Sequence, residues 1–182
     1  NSSDREWCSF KLDFSVSTDS LSRWNLIAHM GSMDVLYRRL HQSNHKRLVF
    51  ISDTLQHDTR LTGHALIHLA FKVNTTDAVI FSYLMDKNEN QLTYVTEGHL
   101  RAVHRAEVEH SWSKYATLHR SYAQSDISPL TPNEEVQMNI HMMPTSYMFR
   151  KGHQIVLAFS GSDTDNFDLK EIRHLLSDHI DI

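Results

Sequence analysis

Along residues 65–73, Ile67, Leu69, Phe71 and Val73 alternate with Leu66, His68, Ala70 and Lys72. That period of two marks a strand with one face buried. Val79, Phe81, Tyr83 and Met85 repeat it, Asp86-Lys87-Asn88-Glu89-Asn90 supplies a polar turn, and Gln91 to Thr96 returns. The pair predicts a hairpin with a five-residue connection. Val136, Met138, Ile140 and Met142 alternate with Gln137, Asn139, His141 and Met143 until Pro144 stops the run. Ile155, Leu157 and Phe159 alternate after Gly152, and Lys46–Ser52 holds a continuous apolar run, Leu48-Val49-Phe50-Ile51, suited to a strand buried on both faces. Several short strands separated by turn signals, without long helical repeats between them, predict an all-β antiparallel sandwich or jelly roll.

Two stretches depart from this pattern. Trp24 to Leu40 has apolar residues at Ile27, Met30, Val35, Leu36 and Leu40, which fits a helix interrupted at Gly31-Ser32. Asp168 to Ile180 sets Leu169, Ile172, Leu175, Leu176 and His179 on one stripe, an amphipathic helix with Asp168 as its cap. The closing Ser177 to Ile182 also alternates like a strand, so helix throughout and helix followed by strand both stand. The expectation is an all-β fold with a short helix near each end.

A chain of 182 residues is long enough for one domain with a proper core. Its 40% hydrophobic and 22% charged content is ordinary for a soluble globular protein. The net charge of −4 is spread along the chain, without the basic stripe of a nucleic-acid binder. Tyr37-Arg38-Arg39 through Lys46-Arg47 reads as a solvated face. The lone Cys8 cannot form an internal disulfide, no apolar run approaches the roughly 18 residues of a bilayer span, and Asn1 to Glu6 is no signal peptide. The expected compartment is therefore the cytoplasm, with neither nucleic acid nor membrane as partner. Without an initial Met the chain is expected to start inside a longer one, although a processed terminus would look the same.

A serine hydrolase of the α/β type needs its nucleophile on a G-x-S-x-G elbow, whose glycines let the backbone turn sharply. The nearest strings, His29 to Asp34 and Ser160-Gly161-Ser162-Asp163, lack the paired glycines, so no catalytic residue is expected in this chain. Fourteen histidines raise the question of metal. His64 precedes and His68 lies within a predicted strand, where a spacing of four separates them by about 13 Å. His41 and His45 share a helical spacing but lack a third ligand, while His99 and His104 have Glu97, Glu107 and Glu109 nearby without a metal pattern. No metal and no cofactor are expected. Trp7, Trp24 and Trp112 are scattered, and Asp163-Thr164-Asp165-Asn166 has oxygen ligands for a hard cation but reads equally as a turn.

Six phrases occur in a telling order: Thr62-Gly63 before the strand to Val73, Asp86, Thr96-Glu97-Gly98-His99-Leu100-Arg101-Ala102, Ser128-Pro129-Leu130, Pro144 through His153, and Ser160 to Asp163. This order resembles the C-terminal, non-catalytic β-domain of the X-prolyl dipeptidyl peptidases and cocaine-esterase-like (CocE/NonD) serine hydrolases, over about Arg47 to Asp165. The resemblance implies a jelly roll of galactose-binding-domain-like architecture over residues 47–182, with residues 1–46 as an extension packed on it. It implies an accessory domain that packs on an α/β-hydrolase domain of the same chain and shapes its active-site cleft, in a dipeptidyl-peptidase or acyl-esterase parent that in some members is a homo-oligomer.

Gly63, Gly98, Leu100, Arg101, Pro144, Tyr147, Phe149, Gly152 and His153 match the family's fold-keeping phrases. Arg101 is expected in an ion pair, the aromatics in the core, and Gly152 at positive φ. An arm carrying Trp112, Tyr115 and Tyr122 is expected to line the cleft. The family's Arg-x-Asp phrase ahead of the strand at Leu48 is absent. The competing reading is a free-standing β-sandwich module that binds carbohydrate or protein.

Overall fold

A computed structural model of the chain describes residues 6–28, 37, 39–40, 44–89, 91–108 and 119–182. Among the described residues, ten antiparallel strands make an all-β sandwich: β1 Ser9–Lys11, β2 Leu48–Ile51, β3 Thr59–Gly63, β4 Leu66–Val73, β5 Val79–Asn88, β6 Gln91–Arg101, β7 Val136–His141, β8 Thr145–Phe149, β9 Gln154–Ser160 and β10 His179–Asp181. One sheet runs β1-β10-β4-β7, the other runs β2-β9-β5-β6, and β3 pairs with β8. The described helix is α1, Arg23–Ala28.

The alternation seen in the sequence builds the space between the sheets. Leu69, Phe71 and Val73 of β4, Met138 and Ile140 of β7, and Ile180 of β10 face Leu48, Ile80, Leu100 and Phe159 of the other sheet. Aliphatic and aromatic side chains on alternate positions fill that layer because each strand presents one face to it.

β5 is buried on both faces. Its second face, Val79, Phe81, Tyr83 and Met85, joins Val156 and Ala158 of β9 beneath a cover that includes Tyr37, Leu40, Phe167, Leu169, Ile172 and Leu176. A third cluster, around Leu84, Val95, Met142 and Phe149, closes the end under β3 and β8. The sandwich is thus covered on the outside of its second sheet by non-strand chain.

Three local expectations need correction. The β5–β6 pairing continues to Asn88 opposite Gln91, so the connection is two residues, not five, and Glu89 takes φ 47° there. Two-residue hairpin loops match the strand twist and require such positive φ. The register shift between Leu84 and Met85 leaves Val95 as the extra residue of a bulge, which sends its side chain into the third cluster. β2 is an edge strand rather than one buried on both faces: Phe50 is 42% and Ile51 50% exposed.

The stripe from Asp168 forms no α-helix. Residues 168–169 are irregular, 170–172 a turn and Arg173–Leu175 a 3-10 turn; Leu176 bridges to Asp77, and β10 then closes the sheet. Leu169, Ile172 and Leu176 still reach the core, because turns can present the same apolar set as a helix face. In the Trp24–Leu40 stretch, residues 29–36 lie outside the described residues, and α1 is the described part.

Candidate functional site

The strongest polar constellation lies on the outside of the β2-β9-β5-β6 sheet. Asp163, 0% exposed, sits just past β9. Its carboxylate accepts from the Thr18 N–H at 2.9 Å, the Thr18 hydroxyl at 2.6 Å and the Tyr83 hydroxyl at 3.1 Å. Arg47 lies over the Tyr83 ring at 5.1 Å and donates to the Leu40 carbonyl at 2.8 Å and the Ser17 carbonyl at 3.3 Å. Burial lowers the Arg47 pKa, opposed by Tyr83 and Asp163; burial and Asp163 push the Tyr83 hydroxyl well above its usual range. A phenol held neutral in this way gives up no proton at neutral pH, so the group is a fixed clamp on the N-terminal segment.

Glu97, 2% exposed, forms a second centre on β6. Its Oε1 accepts from the Tyr37 hydroxyl, and from the Tyr94 hydroxyl at 3.1 Å; the two rings stack with centroids 3.8 Å apart. Burial raises the Glu97 pKa, while the hydrogen bonds from Tyr37, Tyr94 and Trp24 pull it back. His99, on the same strand, packs against Phe167, Trp24 and Phe81 at 4.7, 5.0 and 5.5 Å, and burial lowers its pKa.

At the hairpin end Asp86 accepts from the Tyr147 hydroxyl at 2.9 Å and pairs with His153 Nδ1 at 2.9 Å. A histidine oriented by a carboxylate is two thirds of a hydrolytic triad. Among the described residues no third part is seen beside His153: the Tyr147 hydroxyl is turned to Asp86, not to the ring. Ser160 and Ser162 are buried and donate to main-chain carbonyls, those of Ser162 and of Asp13 and Val16. Neither is presented to a base, and Ser32 lies outside the described residues.

Among the described residues no group of three or more His, Cys, Asp or Glu converges as metal ligands would. His64 stands 6.0 Å from the His141 ring, and His68 pairs with Asn139 Oδ1 at 2.6 Å. The oxygens of the Asp163–Asn166 turn are taken by the N-terminal segment, Asp165 by Ser17 and Arg39, Asn166 by Ser22 and Asn25.

The structure places the matched residues as follows. Arg101 Nε meets Asp77 Oδ2 at 2.6 Å, Gly63 has φ 104° and Gly152 φ 88°. Leu100 and Phe149 are buried, and Pro144 lies between β7 and β8. Gly98 lies against the His141 main chain, where a Cβ would stand 2.5 Å from the carbonyl oxygen. Tyr147 and His153 come together on Asp86; the others are dispersed.

Tyr122 is 63% exposed at φ 53°, its ring 5.5 Å from His104, whereas Trp112 and Tyr115 lie outside the described residues. Sequence reasoning missed Thr18 and the pairing of Asp86 with His153, and it set Tyr37 and Arg47 on a solvated face, whereas both are buried, on Glu97 and over Tyr83. The usable signal was an Asp placed where an alternating strand continues, which only a buried partner tolerates.

The fold and its carboxylate-centred clamps define an antiparallel β-sandwich whose N-terminal segment is pinned to the outside of its second sheet. Residues 17–175 match the family of X-Pro dipeptidyl-peptidase C-terminal non-catalytic domains, and the chain belongs to that family. Proteins of Mycobacterium bovis and Mycobacterium tuberculosis, each named as a serine esterase, are 32% identical over 161 residues, covering 87% of this chain. The chain spans 25% of the length of each.

Among solved structures, an aminopeptidase from a Thaumarchaeota archaeon of marine sediment superposes with TM-score 0.64 at 12% identity, over 98% of this chain and 31% of that one. An α-amino acid ester hydrolase gives 0.63 at 15% identity over 90% of this chain and 26% of that one. A CocE/NonD family hydrolase from Staphylococcus aureus gives 0.58 at 17% identity over 74% and 28%. These likenesses show the shared fold.

Proposed function

We propose that the chain is the accessory part of a serine hydrolase of the dipeptidyl-peptidase or esterase class, which packs on an α/β-hydrolase portion of the same polypeptide and shapes its cleft. The observation that carries this reading is a family match over residues 17–175 in a chain whose Ser160 and Ser162 are turned to main-chain carbonyls. The sandwich is read as a jelly roll of galactose-binding-like design, and the exposed Tyr122 as the root of a cleft-lining arm. The cytoplasm is the proposed compartment, supported by a single unpaired cysteine, Cys8.

The test is hydrolysis of acyl esters and X-Pro amides by this chain and by the longer gene product, side by side. Activity confined to the longer product is expected, and the preferred substrate names the branch. Activity in this chain alone would overturn the reading.

One observation favours a binding role beside it. A groove of about 510 Å³ on the outer face of the β1-β10-β4-β7 sheet is lined by Trp7, His68, Gln137 and Asn139, the mixture of aromatic and amide groups that suits a saccharide. Glycan-array binding that disappears in Trp7→Ala would support this; silence on the array would remove it.

A further inference from the structure

The run Leu48-Val49-Phe50-Ile51 reads in sequence as a strand covered on both sides, yet it forms an edge. Edge strands are ordinarily guarded by charge, proline, a bulge or covering chain, because their free N–H and C=O groups template pairing with another chain. The two edges of the other sheet have such guards. β1 is three residues long and carries Lys11. Along β7, Arg120 donates to the Asn139 carbonyl at 2.6 Å, and the Asn139 amide donates to Glu107 at 2.7 Å.

Among the described residues β2 has none of these devices. The flanking cations are engaged elsewhere: Lys46 with Asp13 at 3.2 Å, Arg47 inward on Leu40 and Ser17. Among the described residues no strand pairs with its outer edge.

The polarity of that edge follows from the ladder. The Ser52 N–H donates to the Ile155 carbonyl at 2.9 Å, so Phe50, two residues earlier, also points its main-chain groups at β9. Val49 and Ile51 point theirs away. The open edge therefore offers two N–H groups and two carbonyls beside apolar side chains that are 42% and 50% exposed at Phe50 and Ile51. An apolar pair next to unpaired backbone suits a protein surface that supplies an extended segment and an apolar face.

We infer that the outer edge of β2, with Phe50 and Ile51, is the surface on which the catalytic portion of the same polypeptide docks. The inference rests on the accessory-domain reading. The relatives named as serine esterases supply the occupant: this chain accounts for 25% of their length, so three quarters of each such protein lies outside the sandwich and needs a seat on it. A continuously apolar strand left half bare is the feature that this missing mass explains.

Hydrogen–deuterium exchange on the longer gene product and on this chain, whose three apolar clusters close within itself, tests the inference. The Val49 and Ile51 amides are expected to exchange at least about ten-fold more slowly in the longer product, while Phe50 and Ser52 change little. In the longer product Ile51→Asp should lower kcat/KM and hasten proteolytic separation of the two parts. Leu66→Ser, which removes a residue of similar exposure on the other sheet, should do neither.

Equal exchange at Val49 and Ile51 in a longer product that hydrolyses esters or X-Pro amides overturns the docking surface and leaves the accessory reading intact. A longer product without hydrolytic activity overturns the accessory reading itself, and this inference with it. Protection that grows with concentration of this chain alone assigns the edge to a second copy and also overturns the inference.

Discussion

At the scale of single residues, Gly98 of β6 is the tightest of the described glycines, set against the main chain at the end of β7. A Cβ there would meet the His141 carbonyl oxygen at 2.5 Å and the Met142 Cα at 3.1 Å, both main-chain atoms that cannot swing aside. Gly98→Ala should therefore cost ~3 kcal/mol, the upper part of the overpacking range, in a urea titration. Gly161→Ala meets only the Leu12 side chain, at 3.2 Å, and should cost under about 1.5 kcal/mol. Equal costs would show that β6 and β7 can part.

Glu97 gives a pH prediction. Its carboxyl is raised above 4.5 by burial, so the folded chain holds the proton more tightly than the unfolded chain. Its contribution is full below that value and is lost as pH rises through the raised one. His99 works oppositely: burial depresses it below 6.5, so its contribution is present above 6.5 and lost as pH falls. Glu97→Gln should gain on the native protein as pH rises from about 4 to 8 in urea midpoints. A pH-independent difference would show that the buried charge carries no such penalty.

At the scale of elements, the question is what holds the N-terminal segment on the sheet. Asp163 takes three hydrogen bonds, two from Thr18 and one from Tyr83, next to a buried Arg47. Asp163→Ala removes all three and leaves the guanidinium without its nearby anion, so a loss of ~3 kcal/mol is expected, with rapid exchange of the Thr18 amide. A Thr18 amide still protected in the variant would show that Arg47 alone holds the segment.

This clamp also marks where the sequence was legible. Alternation at Ile67–Val73 and Val136–Met142 announced β4 and β7, because a half-buried strand writes its burial into every second residue. The clamp writes no period: Thr18, Arg47 and Asp163 are separated by long stretches, and only folding brings them together. Leu169, Ile172 and Leu176 carried the right apolar content but a misleading spacing, since turns and helices can bury the same set. β2 misled for a different reason. Its composition answers to a neighbour, and within this chain that neighbour is β9 on one side only.

At the scale of the whole molecule, β5 decides how the fold comes apart. Ile80 belongs to the layer between the sheets, Phe81 and Tyr83 to the outer layer, and Leu84 to the cluster beneath β3 and β8. One strand thus contributes to all three clusters, and no layer can be lost without baring a face of it. The fold should unfold as a single cooperative unit. Trp24 reports on the outer layer, because its ring lies 5.2 Å from Phe167 and 5.0 Å from His99. In a variant carrying Trp7→Phe and Trp112→Phe, Trp24 fluorescence and far-ultraviolet circular dichroism should give coincident urea transitions. An earlier fluorescence transition would mean that the cover formed by residues 17–28, Tyr37, Leu40 and residues 161–176 peels away from an intact sandwich. The outer layer would then be a separable lid, held by the Asp163 and Glu97 clamps rather than by β5.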